Sequence, residues 1–191
     1  ESHTPELLNI LDKHGVPATF FLIGKNVRET PEVVQAIAHG PHEIGNHTQT
    51  HKPLPFLNDR DLNEEIGKAH KAIEDVTGIE PTFLRPPMGF FSPRVLNIAE
   101  SYRYTTAIGD VYPRDPRNPG RDTIVNRVLS RTRPGSIIIM HDGGTTRRFD
   151  RSQSVAGVSQ IVPRLLDQGY QFVTLSAVSY THLRAHETCT N

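Results

Sequence analysis

His47 and His51 stand in the run Asn46-His47-Thr48-Gln49-Thr50-His51, directly after an apolar stretch. Neutral imidazole is the commonest protein ligand for a divalent ion, and this gap lets two rings from one helical turn or one tight loop reach the same ion. The pattern is half of a metal site. It is not the zincin protease arrangement, because Thr48 occupies the position of the general-base glutamate. His182 and His186 repeat the separation, but they follow no apolar strand and lie in a polar tail, so they read as uninvolved.

Other polar groups fall at equivalent places, each just past an apolar run. Arg85-Pro86-Pro87-Met88-Gly89 follows Leu84, and the two prolines stiffen the loop and fix where the guanidinium points. Asp110 and Asp115 follow Ile108 among Pro113, Pro116 and Pro119; each suits either local turn bonding or a role in a site. His141-Asp142-Gly143-Gly144 follows Met140, placing an imidazole at the end of a buried run and before an open glycine loop.

The elements that must position these groups alternate in type. Helices are predicted from Thr4-Pro5 to Gly15, from Thr30-Pro31 to Gly40, through Leu62, Ile66, Ala69, Ile73 and Val76 to Gly78, and from Ser92-Pro93 through Ile98. Two more cover residues 123–131 and the run Val155 to Leu166 before Gly169, the latter with a kink or late start at Pro163. Strands are predicted at 18–23, 43–46, 82–84, 104–108, 136–140 (the strongest) and 170–175. Such alternation argues an α/β fold with a parallel sheet wound by right-handed crossovers, open or closed into a barrel. Polar groups beyond the carboxyl ends of its strands then share one mouth. The order begins with a helix that no strand precedes, so a barrel would keep two open strand edges, and a further strand is expected ahead of Glu1. Residues 1–178 form the predicted domain; 179–191 read as a non-domain tail with the look of a sequence artefact.

Composition narrows the function. The 191 residues suit one domain, and 21 basic against 21 acidic side chains without an extended cationic run argue against a nucleic-acid partner. No apolar run approaches the length of a membrane span, and oligomeric state leaves no trace. The only cysteine, Cys189, excludes a disulfide and a thiolate metal cluster within this sequence.

Taken in order, Ala18-Thr19-Phe20-Phe21-Leu22-Ile23-Gly24, the His-Thr-x-x-His block, Arg85-Pro86-Pro87-x-Gly89, and Ile139-Met140-His141-Asp142 before Gly169-Tyr170-x-Phe172-Val173-Thr174-Leu175 resemble the NodB-type polysaccharide deacetylases, carbohydrate esterase family 4. The resemblance implies a distorted (β/α) barrel, here lacking its first strand. It also implies metal-dependent release of acetate from an N-acetylated glycan such as chitin or peptidoglycan, outside the cytoplasm or at the cell envelope. His47 and His51 would hold a divalent ion, zinc first, with cobalt or nickel as alternatives. His141 would be the general acid, oriented by Asp115, and Arg85 would hold the carboxylate of the base. Pro87, Met88, Gly89 and Tyr112 would bind substrate, Met88 through its backbone N–H; Phe90 and Phe91 are further wall candidates.

Two departures stand out. The family's Asp-Asp motif, source of the base and third metal ligand, is absent, so this chain alone is expected to be inactive. Asp115-Pro116 replaces an Asp-Trp pair and Met88 replaces a tyrosine. The alternative is a non-catalytic carbohydrate-binding module on the same scaffold. A metal amidohydrolase with His-x-His ligands fits the spacing poorly, and an interaction domain leaves the polar loops unexplained.

Overall fold

The computed structural model describes residues 3–145 and 150–178. Helix α1 (Thr4–His14) leads into strand β1 (Thr19–Leu22), then α2 (Gly24–Glu29), α3 (Pro31–His39) and β2 (Glu43–Asn46). Long helix α4 (Asp59–Thr77) precedes β3 (Phe83–Leu84), and α5 (Pro93–Ser101) precedes β4 (Thr105–Thr106). Helices α6 (Arg121–Leu129) and α7 (Ser152–Asp167) follow. The strands pair in parallel in the order β1-β2-β3-β4, and Leu22↔Asn46 and Asn46↔Leu84 are in register. That register aligns the residues just past each strand: His47, Arg85 and the carboxyl end of β1 share one edge.

Local chemistry explains most boundaries. Asn58 caps α4 by accepting from Asp61 N at 2.9 Å, and Gly78 ends it in the left-handed region at φ 71°. Ser92 caps α5 through Val95 N at 3.4 Å. Leu62, Ile66, Ala69 and Ile73 on α4 are completely buried, and the helix's inner face joins two of the three apolar clusters of the core.

Several expectations need correction. Thr4 is the first helical residue rather than the cap, and its hydroxyl donates instead to Asp142 Oδ2 at 2.6 Å. Residues 24–29, unassigned by pattern, form α2; Gly24 supplies the close approach, since a Cβ there would lie 2.7 Å from Ala69 Cα. Helix α7 runs on through Pro163, held on both sides by buried Val155, Ile161, Val162 and Leu165. The strand expected at 104–108 is a ladder only at Thr105–Thr106. The apolar run 136–140 forms a single parallel bridge, Val111↔Ile138, and 170–175 forms no ladder among the described residues. Apolar side chains bury a run, but a ladder also needs an extended neighbour to exchange backbone bonds, and 136–140 meets only the short stretch Asp110–Val111 among the described residues. Residues 179–191, including His182 and His186, lie outside the described residues. Among the described residues no helix is long and apolar enough to cross a membrane.

Candidate active site

The loop after β2 carries both histidines, in a bent conformation rather than a helical turn. Thr48 and His51 sit at φ 67° and 62°, a region side chains other than glycine avoid, so the loop must be held there. Buried Asn46 accepts from Thr48 N–H at 2.7 Å and donates to Ile66 O at 3.0 Å and Tyr104 Oη at 2.9 Å. Thr48 Oγ1 accepts from His51 N–H at 3.1 Å. Glu65 reaches from α4 to accept from Thr50 N–H at 2.8 Å and its hydroxyl at 2.5 Å. The result brings the His47 and His51 rings to 4.8 Å between centroids, edge to face.

His47 lies 2.7 Å through Nδ1 from the carbonyl oxygen of Arg85. A carbonyl only accepts, so Nδ1 carries the proton and Nε2 keeps a free lone pair, the state a metal ligand requires. Burial holds His47 neutral, its pKa lowered to about 3, with the neighbouring His51, Arg85 and His141 acting in the same direction. His51 is lowered too, by burial first and then by His141. The three imidazoles and Arg85 therefore share one electrostatic neighbourhood.

This gives a pH prediction. An imidazole of ordinary pKa 6.5 that falls to about 3 on folding contributes stability that is complete above pH 6.5 and lost as pH drops through the window between those values. With chelator present, acidification below pH 6.5 should cost about 1.4 kcal/mol per pH unit from this group. Denaturant titrations across that range should show the slope in wild type and a shallower one in His47→Gln.

Arg85 packs its guanidinium 4.0 Å from the centroid of the Phe21 ring. Phe21 in turn lies against Gly45, its registered partner on β2, where a Cβ would come within 2.6 Å of the ring. Burial lowers the Arg85 pKa to about 10, so it stays cationic at neutral pH. It forms no ion pair among the described residues, and its buried Nε has no hydrogen-bond partner. A buried cation in that state fits an acidic group brought beside it.

On the other side of the mouth, Asp115 is fully buried. It accepts from His141 N–H at 2.8 Å, from His141 Nδ1 at 3.1 Å and from Ser154 Oγ at 2.9 Å. His141 Nδ1 is thus the protonated nitrogen facing the carboxylate, leaving Nε2 for the mouth. Tyr112 stands edge-on to His141 at 6.0 Å. Pro87 is buried, Met88 sits at φ 57° with its side chain outward, and Gly89 follows at φ 71°. Asp110, the other acidic candidate, ties its loop to the start of the 136–140 run: it accepts from Ile137 N–H at 2.7 Å and Ser136 Oγ at 3.1 Å.

The two imidazoles suit a divalent ion by charge state and ring spacing, but no cluster of three His, Cys, Asp or Glu side chains able to hold a metal occurs among the described residues. Sequence reasoning missed Asn46, Glu65, Arg151 and Ser154. Glu65 announces itself as a carboxylate on the apolar face between Leu62 and Ile66. Arg151, which donates from Nε to Gly143 O at 3.1 Å and from Nη1 to Pro116 O at 3.3 Å, lies in a loop with no periodic signal.

Residues 1–107 match the family model described as polysaccharide deacetylase. The chain is 38% identical over 184 residues to a peptidoglycan-N-acetylglucosamine deacetylase of Bacillus cereus, covering 95% of this chain and 84% of the relative. It is 37% identical over 174 residues to a chitooligosaccharide deacetylase of Sinorhizobium fredii, covering 87% and 81% respectively. The solved structure of the peptidoglycan deacetylase PdaC from Bacillus subtilis superposes with a TM-score of 0.87 at 29% identity, over 97% of this chain and 87% of that one. With the imidazole pair, the buried arginine and the His141–Asp115 couple at one mouth, the chain belongs to the polysaccharide deacetylase family.

Proposed function

We propose that this mouth hydrolyses the N-acetyl group of a glycan such as peptidoglycan or a chitin oligomer and releases acetate, outside the cytoplasm or at the cell envelope. The names of the Bacillus cereus and Sinorhizobium fredii relatives support that substrate class. The observation that carries the reading is the convergence of neutral His47 and His51 with Arg85 and the Asp115-backed His141. An acetamide resists hydrolysis because its carbonyl is a poor electrophile and its nitrogen a poor leaving group.

His47 and His51 would hold a divalent ion, zinc, cobalt or nickel, which when bound supplies Lewis acidity toward the carbonyl and acidifies water. The family resemblance implies that the base is an aspartate of an Asp-Asp motif outside these 191 residues, and Arg85, whose Nε lacks a partner, would hold that carboxylate in line. Met88 offers its backbone N–H to the developing oxyanion, a role its outward side chain does not touch. Pro87 and Gly89 set the turn, and Tyr112 borders the substrate beside His141. His141 delivers a proton from Nε2 to the departing nitrogen, while Asp115 orients the ring and stabilises its charged form.

Acetate release tests this directly. The 191-residue chain should give none above blank with N-acetylated glycans. A chain carrying an Asp-Asp segment ahead of Glu1 should give acetate, stopped by chelator and restored by zinc, cobalt or nickel. Acetate from the chain as it stands would remove the need for that base. Chelator-insensitive release, or none from the longer chain, would defeat the metal-dependent reading. A non-catalytic carbohydrate-binding module on the same scaffold is the second reading. Glycan binding without turnover by the longer chain would select it.

A further inference from the structure

Arg151 is a buried cation that the chemistry proposed above does not use. It is 5% exposed and stands at the N-cap of α7, the end of a helix where the backbone dipole disfavours positive charge. Helix stability therefore does not select an arginine there. Its bonds give the reason: Nε donates to Gly143 O at 3.1 Å and Nη1 to Pro116 O at 3.3 Å. Gly143 lies in the loop that begins at His141, and Pro116 directly follows Asp115, so the two carbonyls belong to opposite members of the acid couple.

A guanidinium is a planar fork whose donors point in fixed relative directions, so bonding both carbonyls sets the spacing between the His141 loop and the Asp115–Arg117 turn. The first turn of α7 seats the rest of that turn: Ser154 donates to Asp115 Oδ2 at 2.9 Å, and Gln153 Oε1 accepts from Gly120 N–H at 2.8 Å. The loop depends on such ties, because Gly143-Gly144 gives its backbone little stiffness of its own. Thr4 Oγ1 donates to Asp142 Oδ2 at 2.6 Å and Asn26 Nδ2 to Gly144 O at 3.0 Å, which fastens the loop to α1 and α2. Arg151 fastens it to the turn of Asp115. The ring itself is held less firmly: its Nδ1 lies 3.1 and 3.3 Å from the two carboxylate oxygens, long beside the about 2.7–2.9 Å of a tight charge-assisted bond. Its direction thus follows the placement of the two backbone segments.

We infer that Arg151 is a positioning residue for the acid step: by bridging Gly143 and Pro116 it holds His141 against Asp115 with Nε2 directed at the departing nitrogen. The inference rests on the deacetylase reading. Its chemical consequence is selective. An amine leaves only once it is protonated, whereas an aryl oxide such as 4-nitrophenolate leaves as the anion, so a misdirected acid harms amide cleavage and spares aryl ester cleavage.

Arg151→Lys tests this, since it keeps the charge but replaces the fork with a single ammonium on a flexible stem. In a chain carrying an Asp-Asp segment ahead of Glu1, kcat for acetate release from N-acetylglucosamine oligomers should fall about 10–100-fold, the scale of a misplaced catalytic group, while KM, metal content and hydrolysis of 4-nitrophenyl acetate stay within about twofold of wild type. Equal loss on amide and ester, or no loss on either, overturns the inference. NMR of the imidazole N–H protons in the 191-residue chain gives a reading without turnover. The His141 Nδ1–H signal should shift or broaden in Arg151→Lys, while that of His47, bonded to Arg85 O, stays in place. An unmoved His141 signal also overturns the inference. Should Arg151→Lys fail to fold, Arg151→Gln, which leaves no buried charge, carries the same comparisons. No acetate from the longer wild-type chain, with the His141 signal still dependent on Arg151, defeats the deacetylase reading and leaves the tie standing. Release by wild type with Arg151→Lys equal to it defeats the positioning role alone.

Discussion

Replacing His141 by alanine, in a chain that carries an Asp-Asp segment ahead of Glu1, is expected to lower turnover by about 10²–10⁴-fold, the range over which a positioned general acid acts. Metal content should stay at the wild-type level. The two outcomes separate because His141 is committed elsewhere: Nδ1 and the backbone N–H both face Asp115, at 3.1 and 2.8 Å. Its ring stands beside Tyr112, whereas the paired rings 4.8 Å apart are those of His47 and His51. His47→Ala should do the reverse and remove metal first, since His47 alone presents a neutral Nε2 locked in direction by the Arg85 carbonyl. Elemental analysis alongside turnover distinguishes the cases. Loss of metal in His141→Ala equal to that in His47→Ala would make His141 a ligand and sink its role as acid.

Asp115→Ala should be the most destabilising single change at the mouth, about 1.5–3 kcal/mol, the range for hydrogen bonds made to a charged group. Asp115 is fully buried, and three donors converge on it from His141 and Ser154. Deleting the carboxylate strands those donors away from water and opens a void beneath the His141 ring. Asp115→Asn keeps the volume and one acceptor oxygen, so it should cost less stability while still impairing turnover, because the amide does not stabilise a charged imidazole. Urea unfolding, read with circular dichroism, measures the first effect. A loss below about 1 kcal/mol for Asp115→Ala, comparable to an ordinary neutral hydrogen bond, would show that solvent takes over the freed donors.

The sequence by itself determined the alternation of helices and parallel strands as far as β4, and it marked the candidates for the mouth. Apolar runs of strand length between capped amphipathic helices leave a parallel α/β arrangement as the way to bury both faces, and in that arrangement residues past the strand ends must converge. His47, His51, Arg85 and His141 were legible for that reason: each is a polar group that interrupts a local pattern. Choosing between Asp110 and Asp115 was beyond the sequence, because both sit among prolines and glycines. Burial decided it, with Asp115 taken out of water under His141 and Asp110 exposed and bonded to Ser136 and Ile137. Asn46, Tyr104 and Glu65 escaped notice because their work is to hold Thr48 and His51 in left-handed backbone across long sequence separations. Strand 136–140 was over-read for the converse reason. Hydrophobicity is a property of the segment, while a ladder is a property of a pair, and only the tertiary structure supplies the neighbour.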